Sequence, residues 1–274
     1  FKFECDVWSV PEGTPVFPNE PLITVKGPVI QVQLIETMIL LFVNHQSLIT
    51  TKASRIVRAA QGRPVIEYGS RRAQGGDGAV LGARASYIAG CCGTACTMAD
   101  RDYSVPVLGT MAHSWVQLFP TELEAFEAYA EAYPENCVFL VDTYNTLKSG
   151  VPNAVKVFEK LAEKGYRPGG IRIDSGDIAY LSKKARKILD DAGFEDCKIT
   201  VSNSLDEYII RDLLMQGAEI DRFGVGERLI TSKSEPVFGG VYKLVAVEEN
   251  GEILPKIKLS DNVTNCLLYT SPSP

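Results

Sequence analysis

From residue 137 onward the chain alternates short, continuously apolar runs with stretches whose apolar residues recur at helical spacing. The runs are CVFLVDTY (137–144), GGIRID (169–174), KITVSNS (198–204) and RFGVGE (222–227). Between them, AVKVFEKLAEKG puts Val155, Phe158 and Leu161 on one face, and IAYLSKKARKIL does the same with Ile178, Leu181, Ala185 and Ile188. A third segment, EYIIRDLLMQG, closes on Gly217, a residue suited to the left-handed end of a helix. Strands that are apolar throughout, rather than alternating, are buried on both faces, as in a parallel sheet covered by helices. Two upstream runs, PVIEYG (64–69) and SVPVLGT (104–110), share this character. Six strands are therefore expected, in order around an irregular (β/α) barrel rather than in an open sheet.

The rest of the chain follows other rules. Prolines 11, 15, 18, 21 and 28 and Gly13 punctuate short β segments such as LITVKG, and residues 30–60 read as one or two helices. After residue 238, GGVYKLVAVEENGEILPKIKL reads as a hairpin turning at Glu249 to Gly251 and packing back on the N-terminal region. The expected organisation is 1–62 for a smaller α/β domain and connecting helices, 63–237 for the barrel, and 238–265 for the returning hairpin. Residues 266–274 (CLLYTSPSP) break from this pattern and read as a non-native tail.

Composition narrows the function classes. With 274 residues, 45% hydrophobic and 23% charged, the chain has the make-up of a globular protein, and a net charge of -6 offers phosphate backbones no general attraction. No nucleic-acid partner is expected. Seven cysteines, odd in number and several set among small or apolar residues, read as reduced thiols; two histidines and no second cysteine pair leave structural zinc poorly supplied. The longest unbroken apolar stretch, Met38 to Val43, is too short to cross a bilayer, so no membrane partner is expected.

Parallel barrels bind ligands at the carboxyl ends of their strands, so the residues just past each apolar run are the candidates. They are Arg71 and Arg72, His113, Asp142, Asp174 to Asp177, Ser202 and Asn203, and finally Gly224, Gly226 and Glu227. Arginines suit bidentate phosphate contact, carboxylates hold ribose hydroxyls or magnesium, and glycine-rich turns present backbone N–H groups to phosphate. The set suits a phosphorylated sugar with a pyrophosphate leaving group. Taken singly, each has a structural alternative: His113 and His45 as hydrogen-bonded scaffold, Arg71 and Arg72 as a solvated pair, Asp174 and Asp177 as helix caps. Asp142, a carboxylate straight after a hydrophobic strand, is harder to explain without a ligand.

EYGSRRAQGGDGA (67–79), SVPVLGTMAHSWV (104–116) and IRIDSGDIAYLSKKAR (171–186) resemble nicotinate phosphoribosyltransferases, and three further segments, beginning at residues 140, 200 and 223, agree in the same order. The resemblance covers nearly residues 1–263. It implies a type II phosphoribosyltransferase fold, an irregular α/β barrel completed by a domain from both chain ends. It further implies that the family's N-terminal stretch, with its aromatic partner for the nicotinate ring, and the region beyond about Thr264 lie outside this sequence. The implied reaction forms nicotinate mononucleotide from nicotinate and phosphoribosyl pyrophosphate, with Mg2+ and coupled to ATP, in a cytoplasmic homodimer. On the same basis His113 matches the histidine that ATP phosphorylates, Thr110 and Ser114 count as substrate contacts, and Arg172 pairs with the substrate carboxylate. Asp174 and Asp142 match ribose-binding carboxylates, Arg71 or Arg72 a pyrophosphate contact, and Ser202, Asn203, Gly224 and Gly226 the 5′-phosphate cradle. Ser70 and Glu227 depart from residues common in the family, Leu and Thr. The competing readings are a nicotinamide-using relative and a catalytically inactive phosphosugar-binding barrel.

Overall fold

A computed structural model describes residues 2–258; the segment 266–274 lies outside them. The chain forms two compact units, one from the residues up to His45 together with those from Val237 onward, the other from Gln46 to Pro236.

In the smaller unit, β1 (Asp6–Ser9) pairs antiparallel with β2 (Ile23–Lys26). Next come the helices α1 (Val29–Leu34) and α2 (Glu36–Ala59), the latter continuing into the larger unit. At the other end of the chain, β9 (Ala246–Glu249) and β10 (Glu252–Pro255) make the expected hairpin, with Asn250 (φ 51°) and Gly251 (φ 83°) in the left-handed turn. It returns to the N-terminal region as anticipated: Lys26 and Glu248 form an ion pair at 3.2 Å, and the Tyr242 hydroxyl donates to the Val32 carbonyl at 2.9 Å.

The expectation drawn from Met38 to Val43 alone needs correction in one respect. Val29–Ala59 spans 31 residues, within which an 18-residue stretch has a mean hydropathy of 1.3, long and apolar enough by length and composition alone to cross a bilayer. The second half of α2 has a different use, because Ile49, Lys52, Ala53 and Ile56 are buried in the larger unit.

The larger unit is built on a six-stranded parallel sheet. Its members are β3 (Val65–Glu67), β4 (Gly93–Thr94), β5 (Val138–Leu140), β6 (Gly170–Ile173), β7 (Ile199–Val201) and β8 (Arg222–Val225), in the order β4-β3-β8-β7-β6-β5. Because β3 pairs with β8, the strands follow one another round a circle that stays open between β4 and β5. This is a curled half-barrel. One strand expectation fails: SVPVLGT contributes a single bridge, Val107 to Thr94, and the short β4 takes the place expected of it. Pro106 explains part of the failure, since it has no N–H for a ladder.

The covering helices are α3 (Gly76–Ile88), α4 (Thr97–Tyr103), α5 (His113–Gln117), α6 (Glu122–Ala132), α7 (Val151–Glu163), α8 (Ile178–Asp191), α9 (Glu207–Met215) and α10 (Glu227–Ile230). Their starts are chemically marked. Thr121 and Glu124 form a reciprocal capping box at α6, Asp177 accepts the Tyr180 N–H at α8, and Asp206 caps α9. Under them lies a core of stacked aromatics, with Phe126 and Phe158 on either side of Phe139 at ring-centroid distances of 4.7 and 5.0 Å. All three are fully buried. The six described cysteines are free thiols.

Candidate active site

Five of the six strands deliver a site residue within one or two positions of their carboxyl ends: Gly69 after β3, Asp142 after β5, Asp174 after β6, Ser202 after β7 and Gly226 after β8. Burial of the apolar strand fixes where the ladder runs, and the first residue that leaves it turns toward the open end.

Arg172 organises the centre. It lies within β6, its side chain 16% exposed, with Nε donating to the Ser202 hydroxyl (2.8 Å), Nη1 to Thr110 Oγ1 (3.0 Å) and Nη2 to Asp174 Oδ1 (2.9 Å). Its guanidinium carbon stands 5.2 Å from the centre of the Tyr68 ring. Of the five N–H donors of an arginine, three are thus satisfied by protein, leaving two on the terminal nitrogens for a ligand. Asp174 also accepts from the Ser202 hydroxyl. Burial pushes its carboxyl up, but Ser202 and Arg172 outweigh that and hold it below the usual carboxylate range.

Asp142 is the second carboxylate, with its side chain 1% exposed. Its Oδ2 accepts the Asp174 backbone N–H at 3.0 Å and the Ser175 hydroxyl at 2.5 Å, while Oδ1 is buried without a hydrogen-bond partner. An unpaired buried carboxylate oxygen is costly, so a ligand or cation is the natural complement. His113 opens α5 opposite the two. Its Nδ1 lies 3.1 Å from Thr143 Oγ1, and its Nε2 stands 3.7 Å from Asp174 and 3.9 Å from Asp142. With one ring nitrogen held by a hydroxyl, the other is left facing the carboxylates.

Of the sequence-predicted residues, Thr110, His113, Asp142, Arg172, Asp174 and Ser202 come together in this network. The remainder sit around it. Arg71 and Arg72 are exposed on the 3₁₀ turn Ser70–Arg72, and Ser114 is exposed beside His113. Asn203 (φ 83°) begins a left-handed turn, and Glu227 is paired with Lys233 at 2.9 Å, which lowers its carboxyl pKa. Gly224 is placed inside β8, where a side chain would collide with the Tyr68 ring, and at Gly226 one would approach the Tyr68 carbonyl to 3.2 Å. Asp177 is the helix cap that its position allowed. Ser175, also a candidate, joins the network through Asp142, and three participants were not among the candidates: Glu67, Tyr68 and Thr143. Thr143 follows Asp142 directly in sequence, so a wider window at that strand end would have included it.

Among the described residues no group of three or more His, Cys, Asp or Glu side chains could cage a metal. Magnesium commonly takes one or two carboxylates and completes its shell with water and substrate phosphates. Asp142, with its unpaired oxygen, and Asp174 suit that mode.

Comparison with known proteins adds the following. Residues 1–47 match the family model described as the N-terminal domain of quinolinate phosphoribosyl transferase. A nicotinate phosphoribosyltransferase of Bacillus subtilis is 49% identical over 93% of this chain and 52% of its own length. One from Dictyostelium discoideum is 39% identical over 96% of the chain and 52% of its own. The crystal structure of human nicotinic acid phosphoribosyltransferase superposes with a TM-score of 0.77 at 33% identity, covering 81% of this chain and 55% of the human one. The chain spans about half the length of the relatives it matches.

Proposed function

The chain belongs to the nicotinate phosphoribosyltransferase family over the part that this sequence spans, and on that premise we propose that its site joins nicotinate to phosphoribosyl pyrophosphate. The observation that carries the reading is Arg172. A partly buried guanidinium with two free donors, oriented by Ser202, Thr110 and Asp174, suits the flat carboxylate of nicotinate.

In this reading Asp174 and Asp142 receive the ribose hydroxyls, Arg71 and Arg72 take the pyrophosphate, and the turns after β7 and β8, through Asn203 and Gly226, receive the 5′-phosphate. Ser202 acts chiefly by steering Arg172 and Asp174, since its hydroxyl is spent on both. Ser114, Gly224 and Glu227 complete the substrate-facing rim. Asp142 and Asp174, together with the substrate, would hold a magnesium ion, which would supply charge neutralisation on the pyrophosphate. The arginines act in the same sense, stabilising charge that grows on the leaving group as the ribosyl carbon becomes cationic and the nicotinate nitrogen attacks it.

His113 accepts a phosphoryl group from ATP at the ring nitrogen that Thr143 leaves unoccupied. The added charge and acceptor oxygens next to the carboxylates couple ATP hydrolysis to turnover. As finer parts of the same reading, the protein acts as a homodimer in the cytoplasm.

The test is steady-state nucleotide formation by the full-length protein that carries this segment, with nicotinate and nicotinamide as alternative bases. Saturation by nicotinate alone is expected. Saturation by nicotinamide alone would reverse the choice of base, and binding of phosphoribosyl pyrophosphate without turnover of either would make this an inactive sugar-phosphate barrel.

A further inference from the structure

Glu67 ends β3 with no exposed surface, between β4 and β8, and no cation lies within ion-pair distance of it among the described residues. Burying a carboxylate there costs free energy that an apolar residue would avoid, so what it supplies is its acceptor oxygens. One accepts the Gly69 backbone N–H and the other the Thr94 hydroxyl at 2.6 Å; Thr94 in turn accepts the Cys96 N–H at 2.9 Å.

We propose that Glu67 is a positioning residue that fixes, through Gly69 and Thr94, the turn presenting Arg71 and Arg72 to pyrophosphate. The proposal rests on the reading of the site given above. Gly69 is wedged: a side chain there would stand 2.5 Å from Ile230 Cβ and 2.6 Å from the Glu67 carboxylate. On one side of it the Tyr68 N–H donates to the Val225 carbonyl at 2.8 Å, and on the other the Arg72 N–H closes the turn onto the Gly69 carbonyl at 2.7 Å. Neither arginine side chain has a hydrogen bond or ion pair to protein among the described residues, and Arg72 feels only the nearby charge of Glu227, so the backbone of this turn is what carries the two cations. Glu67 is the side chain that holds its first N–H.

Thr94→Val removes, at nearly constant volume, the hydroxyl that donates to Glu67 and accepts from Cys96, Glu67→Gln exchanges an acceptor for a donor, and Thr94→Ser restores the hydroxyl. In the full-length protein, KM for both substrates and the calorimetric Kd of magnesium pyrophosphate are measured for each folded variant. Thr94→Val and Glu67→Gln are expected to raise the pyrophosphate Kd and the KM for phosphoribosyl pyrophosphate about fivefold, the worth of roughly one hydrogen bond, with KM for nicotinate little changed. Thr94→Ser is expected to behave as wild type. An equal rise in both KM values, or unchanged pyrophosphate affinity in variants that melt cooperatively, would overturn the role of Glu67. A wild-type protein that neither binds pyrophosphate nor forms nucleotide would instead overturn the functional reading, and this inference with it.

Discussion

Arg172 and Glu67 are both charged side chains on strands, yet their surroundings differ in one respect that predicts opposite behaviour. Arg172 has Asp174 as a countercharge at 2.9 Å, so its charge is compensated and two donors stay available. Arg172→Gln removes the charge and the fork together, and KM for nicotinate is expected to rise between about tenfold and a hundredfold, the worth of charged hydrogen bonds; an unchanged KM would remove Arg172 from the substrate carboxylate. Glu67 has no such partner. Burial raises its carboxyl pKa, and the bonds from Thr94 and Gly69 only partly oppose this. A raised folded-state pKa contributes stability that is fully present below the unfolded value, about 4.3, and is lost as pH rises through the folded value. The thermal advantage of wild type over Glu67→Gln is therefore expected to shrink as pH rises from about 4 toward neutrality; an advantage that grew would mean that an opposite charge stabilises the carboxylate. Strand-end logic found Asp142 and Asp174 in the sequence, because each leaves its strand as a charge after an apolar run. It passed over Glu67, whose carboxylate lies inside the strand pairing, where only the three-dimensional neighbourhood shows that it accepts from Gly69 and Thr94.

At the scale of elements, α7, α8 and α9 and the four C-terminal strands could be read because burial writes a plain apolar pattern, whereas α3 to α6 and α10 were not anticipated. Phe139 marks the depth of that burial, sandwiched between Phe126 and Phe158. Phe139→Ala is expected to cost about 3–5 kcal/mol in denaturant unfolding; a loss well below that would mean that the three-ring stack collapses to fill the space. The two-residue β4 and the bridge at Val107 could not be read, being too short for periodicity to register. Nor could the join of α2 to α9, where the Lys52 ammonium meets the Glu207 carboxylate at 2.6 Å, with side chains 3% and 10% exposed. Buried pairs behave asymmetrically: Lys52→Met leaves an uncompensated charge and is expected to cost about 3–5 kcal/mol, while Lys52→Met with Glu207→Leu recovers most of it. A double variant as unstable as the single one would show that packing, not charge, makes the join.

For the molecule as a whole, a circular strand order open on one side gathers residues from distant parts of the chain at one end: Thr110, His113, Asp142, Arg172 and Ser202 meet there across 92 positions of sequence. The sequence carried the order of these motifs and the barrel they imply. It did not carry the opening between β4 and β5, which depends on how far a two-residue strand and a proline-interrupted run can extend the ladder. In the function proposed above, this one end joins nicotinate to phosphoribosyl pyrophosphate, with His113 as the point of entry for ATP. The most direct measurement is nucleotide formation by the full-length protein, with and without ATP, in wild type and in His113→Ala. Product that rises with ATP is expected in wild type, and residual product that ATP leaves unchanged is expected in His113→Ala. ATP stimulation that survives the loss of His113 would contradict that reading.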